Sequence, residues 1–154
     1  MKLAAALMRR ADLQTQINEL ETRLHNNARV QDGEKPAESP AELIAALDAA
    51  IAEQETLIAQ INLTNAQTVR DGQTITERIA HRDALMQKSR IMRGFLDEAS
   101  NLAPRYSKTE IKFVSAVNVR KLQKELDLTA KEIRQTEELL QELNWTVELL
   151  ESEN

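Results

Sequence analysis

Residues that break helices are scarce in this sequence. Only three glycines and three prolines occur in 154 residues, well below the usual shares of about 7% and about 5%. The interruptions are Asp32-Gly33 with Pro36 and Pro40, then Asp71-Gly72, then Pro104. Between them, apolar residues recur at steps of three and four, which is the spacing of an amphipathic helix. The sequence therefore predicts a few long helices.

We predict four helices, at about 2–26, 40–65, 75–101 and 119–151, in one domain over residues 1–154. Ser39, followed by Pro40 and Glu42, marks the start of the second helix. Thr74 and Asn118 hold the equivalent places before the third and fourth helices. Matched lengths favour an all-α, antiparallel four-helix bundle of long, coiled-coil-like helices.

Apolar spacing predicts which face of each helix is buried. In the first helix one face carries Leu3, Leu7, Leu13, Ile17, Leu20 and Leu24, at mostly three- and four-residue steps. The fourth helix has the clearest series, made of Leu122, Leu126, Thr129, Ile133, Thr136, Leu140, Leu143, Val147 and Leu150. In the second helix we assign the core to Ile44, Leu47, Ile51, Ile58 and Ile61, with Gln54 as a polar interruption.

The connector between the third and fourth helices differs from the other connectors. Residues 111–117 are β-branched and alternating, so they predict a short strand. An up-down bundle places this connector at the same end as residues 28–31. We therefore expect a small β-ribbon there, formed by residues 28–31 and 111–117, with helix ends packed on it.

The same connector is the predicted location of any specific function. Six polar or charged residues make up the candidate binding site, namely Arg105, Tyr106, Ser107, Glu110 and Lys112, together with Asn144 of the fourth helix. Loops often carry binding groups, and an arginine presents a planar anion-binding fork. The alternative is that the connector is a structural plug at one end of the bundle.

Three apolar residues lie off the predicted core faces and are candidate interface residues: Trp145, Leu149 and Leu128. A large aromatic residue outside the core series often anchors an interface. The alternative for Trp145 is an indole half-covered by a neighbouring helix of the same bundle.

Catalytic and metal chemistry have few candidates here. The chain has no cysteine, so disulfides, thiolate nucleophiles and zinc fingers are excluded. Its two histidines, His25 and His81, each follow a glutamate by four residues, Glu21 and Glu77. A metal site needs more ligands than one such pair, so we interpret both as surface ion pairs. We expect no catalytic residue, no metal and no cofactor.

The charge pattern limits the partners. A net charge of −5 argues against general nucleic-acid binding, which needs an excess of Lys and Arg. The third helix is locally basic, and we expect its charges to complement acidic neighbours rather than to bind an anion. No segment has the roughly 20 apolar residues that span a bilayer, so we expect a cytoplasmic protein without stable membrane insertion.

Several segments resemble a bacterial family of uncharacterised helical proteins, sometimes labelled septicolysin-like. They are residues 1–4, 10–14, 61–65, 105–115 and 143–146, and the stretch Tyr106-Ser107 with Glu110–Ser115 is the most specific. The resemblance covers nearly the whole chain and implies no established reaction, cofactor or catalytic residue. The lysin label implies membrane attack, for which the chain offers no strongly membrane-seeking segment.

We therefore expect a non-enzymatic structural or protein-interaction bundle that forms homo-oligomers, with any other protein partner undetermined. The alternative is a small-ligand binder or enzyme that uses the polar connector 105–112. Lysin-type membrane activity is not expected.

Overall fold

The structure is a computed structural model that describes residues 1–102 and 111–151. Four helices account for most of it: α1 (Leu3–Asn26), α2 (Pro40–Gln67), α3 (Ile75–Ser100) and α4 (Val119–Thr146). A two-stranded hairpin, β1 (Val69–Arg70) and β2 (Gln73–Thr74), lies between α2 and α3. The predicted all-α class with four helices is confirmed, because the described chain is 74% helical with antiparallel packing. One coiled-coil-like bundle of all four helices stays a prediction.

The chain divides into two compact units. Unit 1 comprises Met1–Ile75 and Glu142–Asn154, and unit 2 comprises Thr76–Gln141. Unit 1 contains α1, α2, the hairpin and the last turn of α4, whereas unit 2 contains nearly all of α3 and most of α4. The single domain that we expect over residues 1–154 stays a prediction.

Two of the predicted helix starts, at Ser39 and Asn118, are confirmed by side-chain caps. Ser39 Oγ accepts a hydrogen bond from the Glu42 N–H at 3.4 Å, and Asn118 Oδ1 accepts one from the Lys121 N–H at 3.1 Å. Each cap satisfies an N–H group that has no partner inside its own helix. At the other end of α1, the buried Asn27 amide donates to the Arg23 carbonyl at 2.8 Å and accepts from the Glu38 N–H at 3.0 Å. These two bonds fix the path of the first connector.

The helix packing in unit 1 confirms one predicted core series and corrects another. Along α1, all the predicted core residues are buried or half-buried. Along α2, however, Ile44, Ile51 and Ile58 are 38–49% exposed. The buried residues of α2 are instead Leu43, Ala50, Leu57, Ile61 and Thr64.

The error in α2 is a choice between two heptad phases. Both phases share positions 47, 54 and 61, and both repeat every seven residues. The observed phase adds Leu43, Ala50 and Leu57, which lie one residue before the three predicted isoleucines. Since the period is the same, periodicity alone does not choose between them. Ala50 has a small side chain and is less hydrophobic than Ile51, so the sequence pattern favoured the isoleucine phase. A small side chain, however, lets two helices approach closely.

The small ribbon exists, but its predicted location is wrong. Val69 pairs with Thr74 and Arg70 with Gln73 across a two-residue turn. Asp71 has a φ of 51° and Gly72 a φ of 77°, so both occupy the left-handed region that a tight hairpin turn requires. Residues 28–31 and 111–117 form no strand. Near the end of the latter segment, Ser115 Oγ accepts from the Val117 N–H at 3.4 Å and makes a local turn.

The fourth helix ends at Thr146 rather than near residue 151. After it, the backbone leaves the helix and pairs with the first residues of the chain. The Leu3 N–H donates to the Val147 carbonyl at 2.9 Å, and the Leu149 N–H donates to the Met1 carbonyl at 2.8 Å. These interstrand bonds replace the helical ones that a longer α4 would make. All nine members of the predicted heptad series are nevertheless buried or half-buried.

Candidate interaction surfaces

Most of the predicted binding site lies outside the described residues. This applies to Arg105, Tyr106, Ser107 and Glu110. Of the other two candidates, Lys112 is exposed in unit 2, and Asn144 is half-buried in the last turn of α4 in unit 1. The six-residue site therefore stays a prediction.

A groove lies where the described chain resumes after this connector. The groove, of about 450 Å³, is bordered by the end of α3 and by residues 113–117. Its apolar members include Phe95, Leu102, Phe113 and Val114, which are 45–71% exposed. Glu98 and Asn101 add polar groups to the rim. The groove is the described feature nearest in sequence to the predicted site.

A second, much smaller cavity lies inside unit 2. It has a volume of about 50 Å³ and is lined by residues of α3 and α4, among them Ser89, Met92 and Leu126. Ser89 is 3% exposed, and its hydroxyl has no hydrogen-bond partner in the described part of the chain. The volume is close to that of one or two water molecules.

The three predicted interface residues have different surroundings. Leu128 is 67% exposed and Trp145 is 61% exposed, so both present apolar surface. Leu149 is half-buried, and its backbone is held by the hydrogen bond to Met1. The side chains of Leu128 and Trp145 are therefore available for contact with another molecule. Leu149 instead lies in the segment whose backbone pairs with the first residues of the chain.

The exposed face of α2 was missed by the sequence reasoning, which assigned its isoleucines to the core. Ile44 is 49% exposed, Ile51 is 45% exposed and Ile58 is 38% exposed. These positions are seven residues apart and share one side of the helix. Asp48 and Glu55 lie between them and are also exposed. We call these five residues the acidic stripe.

The outward face of α4 has the opposite charge. Lys121, Lys124, Leu128, Lys131 and Gln135 follow one another at steps of three and four, and all five are exposed. Their spacing places them on one side of the helix. We call these five residues the basic stripe. The sequence does contain a signal for both stripes. Like charges repeat at a spacing of seven residues beside the core series, at Asp48 and Glu55 in α2 and at Lys124 and Lys131 in α4.

Ion pairs in unit 1 hold elements together. Arg9 donates two hydrogen bonds to Glu53, at 2.6 and 2.7 Å, and so joins α1 to α2. These bonds hold the pKa of Glu53 below its ordinary value. The hydrogen bond from Lys2 and that from the N-terminal ammonium lower the pKa of Glu148 in the same way. Because such pairs are exposed, their role is to orient elements rather than to supply much stability.

The histidine of α3 has a different partner from the one predicted. His81 Nε2 lies 2.9 Å from Glu132 of α4, so this contact joins two helices of unit 2. In residues 1–102 and 111–151, no three or more His, Asp or Glu side chains are grouped so as to hold a metal ion. Likewise, none of the described helices combines the length and apolar character needed to cross a membrane.

Comparisons with known proteins place the chain in a group whose function is open. A family model described as a family of unknown function, DUF6847, matches residues 10–149. A solved structure, described as that of a functionally unknown conserved protein from Corynebacterium diphtheriae, is 37% identical in sequence. The match covers 97% of this chain and 99% of that one, with a TM-score of 0.86. No curated protein matches the chain.

Proposed function

This chain belongs to the family of unknown function DUF6847, and we propose that it is a non-enzymatic protein-interaction module that self-associates through its helix faces. The observation that carries the proposal is the apolar surface left exposed along the helices. On α2 it consists of three isoleucines that repeat every seven residues, and on α4 it includes Leu128.

The energy available from this surface follows from its exposure. Full burial of an isoleucine or leucine side chain contributes about 1.5–3 kcal/mol. The three isoleucines of α2 retain 38–49% of their exposure and Leu128 retains 67%. Covering all four would therefore contribute on the order of 3–6 kcal/mol. Association itself costs about 4 kcal/mol or more, so we expect weak, reversible association rather than an obligate complex.

The experiment is a sedimentation-velocity series from low micromolar to several hundred micromolar protein. The expected result is a concentration-dependent rise from the 17.4 kDa monomer to a defined multiple of that mass. A single 17.4 kDa species throughout the series would overturn the proposal.

The polar connector 105–112 supports a second candidate, a small-ligand binder. The specific observation in its favour is the 450 Å³ groove at the end of α3, with its aromatic and aliphatic lining. The paired substitution Arg105→Ala with Tyr106→Phe tests it. Unchanged thermal stability with loss of a ligand found by screening would favour a binding site. A melting temperature lower by several degrees would instead indicate a structural plug.

The septicolysin-like label is a finer assignment than the family match, and neither proposal depends on it. We also propose a cytoplasmic location, on the basis of sequence composition alone.

A further inference from the structure

The acidic stripe of α2 and the basic stripe of α4 are complementary in charge. The segment Pro40–Gln67 contains four acidic residues, Glu42, Asp48, Glu53 and Glu55, and no Lys or Arg. Glu53 is paired with Arg9, but Asp48 and Glu55 have no ion pair in the described part of the chain. The basic stripe has three lysines and no acidic residue. None of these lysines forms an ion pair within residues 1–102 and 111–151.

The two stripes also match in spacing when they are read in opposite directions. From residue 44 the acidic stripe advances by steps of 4, 3, 4 and 3 residues, and from residue 135 the basic stripe descends by the same steps. From its first to its last position, each stripe covers about 14 residue steps, or about 21 Å of helix. In this antiparallel register, Asp48 faces Lys131, Ile51 faces Leu128, and Glu55 faces Lys124.

We propose that these stripes form the self-association interface, with α2 of one copy packed antiparallel against α4 of a second copy. This inference rests on the proposed function and names the surface that serves it. The apolar pair of Ile51 and Leu128 lies at the centre, with an acid–lysine pair on either side. Central apolar contacts with charged pairs near the rim are the usual anatomy of a protein interface.

Each copy offers one acidic stripe and one basic stripe, so the proposed contact joins unlike stripes of two copies. Contacts between identical stripes are disfavoured. Pairing α2 with α2 brings Asp48 and Glu55 against other carboxylates, and pairing α4 with α4 brings lysines together. Like charges in an interface suppress wrong pairings.

A charge-exchange experiment tests this pairing. The acid-reversed variant carries Asp48→Lys and Glu55→Lys, and the base-reversed variant carries Lys124→Glu and Lys131→Glu. Each variant alone presents like-charged stripes to its own copies. An equimolar mixture restores opposite charges, since the new lysines of one variant meet the new glutamates of the other.

The expected result is that each variant alone weakens self-association at least about tenfold, and that the mixture recovers the wild-type affinity. Circular dichroism and melting curves check that the variants fold, which we expect because all four positions are exposed. The matched control is Asp32→Lys with Glu34→Lys. It raises the net charge in the first connector as much as the acid-reversed variant does in α2, and it should associate like the wild type.

Other results would overturn the inference in distinguishable ways. If the wild-type protein stays monomeric, both the proposed function and this interface are wrong. If the wild type and both variants associate equally well, the proposed function stands and the proposed interface is wrong. If only one variant is defective, or if the mixture stays monomeric, the affected stripe contacts some surface other than the one proposed.

Discussion

Within unit 1, Thr64 of α2 holds the segment that follows α4, and removing its hydroxyl should measurably destabilise the protein. The residue is 0% exposed. Its hydroxyl donates to the Gln60 carbonyl at 2.7 Å and accepts from the Leu150 N–H at 2.9 Å. The substitution Thr64→Val keeps the shape of the side chain but removes both hydrogen bonds. The Gln60 carbonyl keeps its helical partner, whereas the Leu150 N–H loses its acceptor.

An orphaned buried donor costs about 1–3 kcal/mol. Leu150 is half-buried, so we expect about 1–2 kcal/mol, the lower part of that range. For a chain of this size the melting temperature falls by about 2–4 °C for each kcal/mol. Hydrogen exchange at the Leu150 amide should also accelerate, since its local protection depends on this bond.

The matched control lies on the same helix. Thr56 makes the same type of hydrogen bond, from its hydroxyl to the Ala52 carbonyl at 3.0 Å, but it is exposed. Urea denaturation should therefore show a change within about 0.5 kcal/mol for Thr56→Val. If Thr64→Val is no more destabilising than this control and leaves exchange at Leu150 unchanged, then the hydrogen bond from Leu150 to Thr64 does not hold this segment in place.

Three further predictions concern the turn, a surface ion pair and a buried hydroxyl. Gly72→Ala should lower the free energy of unfolding by about 1–2 kcal/mol, because a φ of 77° is unfavourable for an L-residue. Gly94→Ala inside α3, with open space around the added carbon, should instead raise it by about 0.5–1 kcal/mol. The midpoints of urea denaturation check both. Glu53→Gln should lower stability at neutral pH. The stabilisation of ionised Glu53 by Arg9 is present above the ordinary glutamate pKa of 4.5 and is lost as pH falls through the lowered pKa. The difference in unfolding free energy between Glu53→Gln and the wild type should therefore narrow as pH is lowered. A difference that stays constant with pH would contradict this prediction. Ser89→Ala should be neutral or slightly stabilising in thermal melts, and a clear loss of stability would reveal a partner for the hydroxyl.

The parts of the fold that were predictable from sequence depend on local chemistry. Ser39 and Asn118 marked helix starts because a capping side chain acts on N–H groups two or three residues away. The series of α4 was predictable because its leucines have one dominant phase. The choice of core face in α2 was not, since Ala50 and Ile51 present two phases of one heptad and only the packing of α1 decides between them.

The failures at the ribbon and at the end of α4 have a common cause. Residues 111–117 have strand propensity but no paired strand in the described chain, and β-propensity depends strongly on such context. Conversely, the hairpin at Asp71-Gly72 is set by two positive φ values rather than by β-branched residues. The heptad series continues to Leu150, but pairing with Leu3 ends the helix at Thr146. Both errors arise because a local pattern does not show whether a segment has a partner distant in sequence: residues 111–117 have no such strand in the described chain, whereas Val147 has Leu3.

Cysteine cross-linking probes the proposed contact between the two stripes at its centre. The chain has no cysteine, so Ile51→Cys and Leu128→Cys each introduce a single thiol at the centre of one stripe. Under mild oxidation, we predict that an equimolar mixture of these variants forms a disulfide-linked dimer whose cross-linked peptides join positions 51 and 128. A mixture of Ile51→Cys with Ile91→Cys, which places the second thiol on an exposed position of α3, controls for random collision. Cross-linking no faster than in this control would mean that the two stripes do not face each other in the complex.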